Sequence, residues 1–155
     1  MLKNKFLSFI LFFVITFSAS FIGGLASISL KEPWYSQLIK SNYNPPDWIF
    51  APVWTTLYLM MTLAIWFYWH TKYRDMNTVY IYFIHIVFNT TWSIVFFGLH
   101  QIFFALVILI ILILLIITLI IRFKRVNFVS YYLMIPYLLW CCYALFLNFK
   151  LFILN

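Results

Sequence analysis

Residues 102–121, IFFALVILIILILLIITLII, constrain this chain more than any other stretch, for they hold no charge and a single hydroxyl, Thr118. A helix needs about 20 apolar residues to cross the hydrocarbon core of a bilayer, and this run supplies them without a break. Four more apolar stretches, over residues 6–30, 48–69, 79–97 and 128–154, are also long enough. Of the 155 residues, 66% are hydrophobic and only 8% charged, more apolar surface than a soluble domain of this size can hide. The expected fold is an all-α integral membrane protein, with five transmembrane helices in a single bundle over residues 1–155. The bilayer is its solvent.

The first run admits a rival reading. Lys3 and Lys5 precede it, and Ser18-Ala19-Ser20 resembles a signal-peptide cleavage site. The apolar run continues past that site and is long enough to span, which favours a helix. Its second half carries Ser20 and Gly24, then Gly23 and Ser27, each pair four apart. Small residues at that spacing let another helix approach closely, and close packing without a ligand role is the favoured reading.

Ten bases stand against three acids. No basic patch interleaves with polar sequence, so the excess speaks for membrane topology rather than nucleic acid. Lys3, Lys5, Lys72, Arg74, Arg122, Lys124 and Arg125 fall on one side of the alternating spans, and Lys31, Lys40 and Lys150 on the other. The positive-inside rule then places the N-terminus in the cytoplasm. Cys141 and Cys142 are adjacent and point about 100° apart on a helix, which disfavours a bond between them. The three histidines are dispersed, and no metal-ligand spacing exists. The acids Glu32, Asp47 and Asp75 fall outside the spans, so no catalytic residues are assigned.

The stretch from Trp34 to Tyr58, WYSQLIKSNYNPPDWIFAPVWTTLY, is neither uniformly apolar nor merely polar. Between spans, such a segment is where a membrane protein forms a mouth or lid. Trp34 and Tyr35 suit the membrane interface. Pro45-Pro46 forbids a continuous helix, Asp47 is a candidate N-cap, and Pro52 lies where a missing N–H matters least. In the second span Trp54, Tyr58, Met61 and Ile65 share a face, and Trp66, Tyr68 and Trp69 read as an aromatic belt at its far end. His85, Asn89 and Trp92 share a face of the third span by i, i+4, i+7 spacing. A polar amide in hydrocarbon requires a partner. Asn89 therefore makes either an interhelical hydrogen bond or a ligand contact, and haem ligation by His85 is a lesser reading. In the fifth span Tyr137, Trp140, Ala144 and Asn148 share a face beyond Pro136.

Three blocks carry a family resemblance. WYSQLIKSNYNPPDWIFAPVWTTLY is similar to the pattern W-Y-x-x-L-x-K-P-x-W-x-P-P-x-W-x-x-x-P-V-W-x-x-L-Y of the TspO family, the tryptophan-rich sensory proteins and translocator proteins. FNTTWSIVFFG (88–98) and LMIPYLLWCCYALFLN (133–148) resemble its two later blocks. The resemblance implies five transmembrane helices, often in a homodimer, and in bacteria the inner membrane. It implies a pocket under the first loop for porphyrins such as protoporphyrin IX, for sterols in some members, and for benzodiazepine-type drugs. Carried over by position, the ligand-binding residues are Tyr35, Pro45, Trp48, Trp54, Asn89, Trp92, Trp140 and Ala144. A flat macrocycle suits stacking on indoles in a dry slot. Departures from the pattern are Lys40-Ser41-Asn42-Tyr43 in place of K-P-x-W, Thr90, Ile108, and Phe149 where the sterol pattern wants a Tyr.

The leading function is a membrane binding protein for tetrapyrroles, acting in sensing, sequestration or transport, with the porphyrin as ligand rather than cofactor. Alternatives are a light-dependent porphyrin-degrading activity and transport of another hydrophobic ligand such as a sterol. Ordinary enzymatic catalysis is not expected.

Overall fold

The structure is a computed structural model describing residues 4–155. Asn4 opens the first helix: its side-chain oxygen accepts from the N–H groups of Phe6 and Leu7 at 2.9 and 3.2 Å, satisfying donors that a helix start leaves free. Helix α1 then runs Lys5–Leu30. A four-residue helix, α2 (Trp34–Gln37), and a 3₁₀ turn (Asp47–Ile49) lie within the connection to α3 (Phe50–Trp69). Asp75 caps α4 (Met76–Ser93), which continues into a π-helical turn at Ile94–Gly98. Helices α5 (Ile102–Lys124) and α6 (Phe128–Leu154) complete the chain, with Asn127 capping α6 and Pro136 inside it. Five of these segments are long and apolar enough to cross a membrane.

The helices close a ring in the order α1, α3, α6, α5, α4, because α1 packs on both α3 and α4 while α3 and α4 barely touch. One stripe of each faces inward. On α5 the inward stripe is Ala105, Leu109, Leu112, Ile116, Leu119 and Phe123, all buried, while Phe104, Val107, Ile110, Leu114 and Ile117 are exposed on the lipid side. Met61, Ile65, Tyr82, Met134 and Tyr137 fill the middle of the bundle.

Side-chain contacts gather the start of α1, the end of α3, the start of α4 and the end of α5. Ser8 Oγ and His70 Nε2 are 2.8 Å apart, Trp66 Nε1–H donates to the Lys5 carbonyl at 3.0 Å, and Arg122 pairs with Asp75 at 3.0 Å. This end holds Lys5, Lys72, Arg74, Arg122, Lys124 and Arg125, and the opposite end holds Lys31, Lys40 and Lys150. Lys3, counted with the first group, lies outside the described residues.

Two local expectations change. Tyr68 and Trp69 are not part of a surface belt but buried, at 1% and 8% exposure. Tyr68 tilts against Phe123 of α5 and accepts the Asp75 N–H at 2.8 Å through its hydroxyl, so the core draws in a ring that the sequence places at an interface. Asp47 makes no cap hydrogen bond. Its carboxylate pairs with Lys31 instead, a charged partner sixteen residues back that outcompetes a neighbouring N–H.

Candidate functional site

At the Lys31 end the ring of helices does not fill, leaving a cavity of about 320 Å³. That lies within the range of small-molecule sites. Helix α1 supplies its small side, Ser20, Gly23, Gly24 and Ser27. Helix α3 supplies Trp54 and Tyr58; α4 and its π turn supply Trp92, Phe96 and Phe97; α6 supplies Trp140, Tyr143 and Ala144; and the first loop adds Tyr35, Asn44 and Asp47.

The aromatic side is ordered by stacking. Trp54 stacks on Trp92 at 6.4 Å and Trp92 on Phe96 at 5.4 Å, while Phe50 meets Trp140 edge-on at 6.0 Å. Trp92 Nε1–H donates to Asn148 Oδ1 at 3.3 Å, and Asn148 Nδ2–H donates to the Ile102 carbonyl at 3.0 Å. These bonds hold the Trp92 indole from α6 and the start of α5 together. The π turn adds a residue to one helical turn, with the Leu99 N–H reaching back to the Ile94 carbonyl at 3.0 Å. The widened turn presents Phe96 and Phe97 together against Tyr35, with ring centres 6.2 and 6.1 Å away.

The first loop forms the roof and is tied down at several points. Tyr143 of α6 donates its hydroxyl to the Tyr43 carbonyl at 2.7 Å. Asn155 accepts the Ile39 N–H at 2.9 Å and donates to the Ile39 carbonyl at 3.1 Å, a two-bond clamp on one residue. Asn44 Nδ2–H donates to the Tyr35 hydroxyl at 3.0 Å. The ammonium groups of Lys31 and Lys40 lie 4.5 and 4.2 Å from the centre of the Tyr35 ring. Burial raises the Tyr35 phenol above its ordinary pKa, so it stays neutral at neutral pH.

The structure brings Tyr35, Trp54, Trp92, Trp140 and Ala144 to this one cavity. Pro45, Trp48 and Asn89 are not among its lining residues: Pro45 is half-buried beside Asn44, and Trp48 is 74% exposed. Asn89 sits below the cavity floor, 2% exposed. Its Oδ1 accepts from the Tyr58 hydroxyl at 2.5 Å, and its Nδ2–H donates to the Tyr137 hydroxyl at 3.0 Å. Of the two readings left open by sequence, the geometry gives Asn89 the interhelical bond. His85 is also fully buried, with Nδ1 2.6 Å from the Tyr82 carbonyl, and it does not line the cavity.

Sequence reasoning missed Asn44, Phe96, Phe97 and Tyr143, and it read the small residues of α1 as packing alone. Two neighbouring glycines divide those roles. A Cβ on Gly23 would lie 2.8 Å from Ser93 Oγ, whereas a Cβ on Gly24 would meet nothing within 4 Å. Gly23 therefore permits the approach of α4, and Gly24 leaves open room. Gly24→Ala is expected to stabilise the protein by up to about 1 kcal/mol through helix propensity. Gly23→Ala should gain less, because the clash offsets the propensity. Thermal melts of the two variants decide this, and equal shifts would remove the distinction.

The fold and site together define a helical membrane protein whose five spans enclose an aromatic-walled cavity beneath a roofed loop. The TspO/MBR family model matches residues 10–154, and the chain belongs to that family. It is 35% identical over 125 residues to the tryptophan-rich protein TspO of Chlorobaculum tepidum, covering 79% of each chain. It is similar to protein CrtK of Rhodobacter capsulatus, 30% identical over 152 residues, which are 96% of this chain and 95% of that one. Likeness extends to the translocator protein of Homo sapiens, 28% identical over 120 residues, 75% of this chain and 71% of the other.

Proposed function

We propose that this protein binds a tetrapyrrole such as protoporphyrin IX in the aromatic cavity, and that it senses, sequesters or moves that ligand at the membrane. The observation that carries this reading is the convergence of Trp54, Trp92, Trp140 and Tyr35 on one space of about 320 Å³. A flat, apolar macrocycle gains by stacking on indoles and by leaving water. Relatives named tryptophan-rich sensory protein and translocator protein support a sensing or transporting role rather than an enzymatic one. Within the same reading, the protein lies in a bacterial inner membrane as a homodimer, with the end holding Arg122 and Arg125 in the cytoplasm, where positive charge is favoured. The cavity and its loop then open on the far side.

Tryptophan-fluorescence quenching of the purified protein by protoporphyrin IX, in the dark and then in light, tests the reading. Saturable quenching that is lost in a Trp54 and Trp140 double variant is the expected result. A porphyrin spectrum that changes only under illumination would add a degrading activity to binding. Absence of saturable quenching would overturn the tetrapyrrole assignment.

A further inference from the structure

A second hollow opens at the Arg122 end of the bundle, where the end of α5 meets the start of α4 and the turn that leads into it. It measures about 410 Å³, and Tyr73, Thr78, Thr118 and Ile121 line it together with Arg122 and Arg125. The aromatic cavity uses none of these residues. Arg122 is engaged: it pairs with Asp75 at 3.0 Å and donates to Thr78 Oγ1 at 3.3 Å. Asp75 is engaged too, since its carboxylate also accepts from the Asn77 and Thr78 N–H groups and from the Thr78 hydroxyl. The Arg125 side chain is exposed, and among the described residues it has neither an acidic partner nor a hydrogen-bond acceptor. Two other bases of this end are turned elsewhere. Arg74 donates to the Trp69 carbonyl at 3.1 Å, and the Lys124 ammonium lies 5.6 Å from the centre of the Tyr131 ring.

Two guanidinium groups against one carboxylate leave the hollow with positive charge in excess. A free arginine fork matches the oxygens of a phosphate, which it holds by two parallel bonds. The other end of the hollow is apolar. Ile121 lines it and is 49% exposed, and Ile117 and Leu114, four and seven residues back on the same face of α5, are exposed as well. Arg125 and Ile121 stand about one helical turn apart, roughly 6 Å along the axis. The lining thus passes from an unpaired guanidinium to a stripe that faces lipid. A soluble phosphate gains nothing from that apolar end, whereas a phospholipid fits both.

We propose that the hollow between α4 and α5 is a headgroup site for an anionic phospholipid, with Arg125 holding the phosphate and an acyl chain lying along Ile121, Ile117 and Leu114. Arg122 serves the site indirectly. Its pair with Asp75 cancels a carboxylate that would repel the headgroup, and with Thr78 it ties the α4 wall to α5. Basic pockets between membrane helices are suited to anionic headgroups. This site does not depend on what fills the aromatic cavity, so the tetrapyrrole reading and this one are tested separately.

The test is native mass spectrometry of the whole chain in detergent, titrated with dioleoyl phosphatidylglycerol or with dioleoyl phosphatidylcholine. The two lipids share their chains and phosphodiester and differ in headgroup charge. For the first bound lipid, phosphatidylglycerol is expected to bind at least about five-fold more tightly, the order of one base's contribution at a membrane surface. Arg125→Gln should bring that ratio towards one. The Arg125 side chain bonds nothing in the protein, so this variant should keep the melting temperature of the unaltered protein. Lys124→Gln removes an equal charge next to the hollow but outside its lining, and should leave the ratio in place. A ratio that falls equally in both variants would reduce the preference to general surface charge and overturn the site. Equal binding of the two lipids by the unaltered protein would overturn it as well. An Arg125-dependent rise in melting temperature with inorganic phosphate, without any preference for phosphatidylglycerol, would assign the hollow to a soluble phosphate and overturn the lipid.

Discussion

Asn89→Leu is expected to destabilise the ligand-free bundle by about 2–6 kcal/mol while leaving porphyrin affinity nearly unchanged. The amide joins three helices, accepting from Tyr58 of α3 and donating to Tyr137 of α6. Leucine removes both partners at once. Both phenols are buried, at 4% and 0% exposure, and lose their partner when the amide goes. An unpaired buried hydroxyl costs about 1–3 kcal/mol, and two are left. A single hydrogen bond between membrane helices averages less than about 1 kcal/mol, so the orphaned partners decide the size of the effect. Thermal unfolding in detergent and porphyrin titration of the same sample separate the outcomes. A loss of affinity at unchanged melting temperature would move Asn89 into the ligand site and contradict its position beneath the cavity floor.

Trp54→Ala is expected to weaken protoporphyrin IX binding at least about ten-fold, close to 1.4 kcal/mol. The Trp54 ring packs against Trp92 at 6.4 Å and Tyr58 at 5.7 Å and meets Tyr137 edge-on. It therefore provides ligand contact area and also positions the neighbouring rings. Its truncation removes a stacking surface worth about 0.5–1.5 kcal/mol beyond area alone, together with the apolar area itself. The effect on folding should be smaller than that of Asn89→Leu, since the indole is only half-buried and opens on space already present. Unchanged affinity in both Trp54→Ala and Trp140→Ala, measured by fluorescence or by porphyrin absorbance, would take the aromatic cavity out of the binding path.

Much of this protein is legible in its sequence. The spans can be read because lipid leaves the backbone no partner but itself, so an apolar run such as Ile102–Lys124 has few structures open to it. The faces carrying Trp54, Trp92, Trp140 and Ala144 follow from the 3.6-residue period, and they meet at one cavity. Polar choices are harder. Asn89 has to have a partner, but the partners lie 31 and 48 residues away, and no local pattern names them. Asp47 shows the same limit. A helix-start rule assigns it to its neighbours, whereas the folded chain brings Lys31 to it.

The sequence by itself determined the solvent, the number of spans, the end that gathers positive charge and the aromatic character of the inner faces, because each depends on composition and spacing along one segment. Only the tertiary structure decided the ring order of the helices, since apolar flanks of Ile, Leu and Val look alike from one helix to the next. It also decided which glycine packs and which leaves room, a difference set by Ser93 on another helix. The widened turn at Ile94–Gly98 belongs to the same class. Such details depend on residues far apart in the sequence, which meet only when the helices are packed.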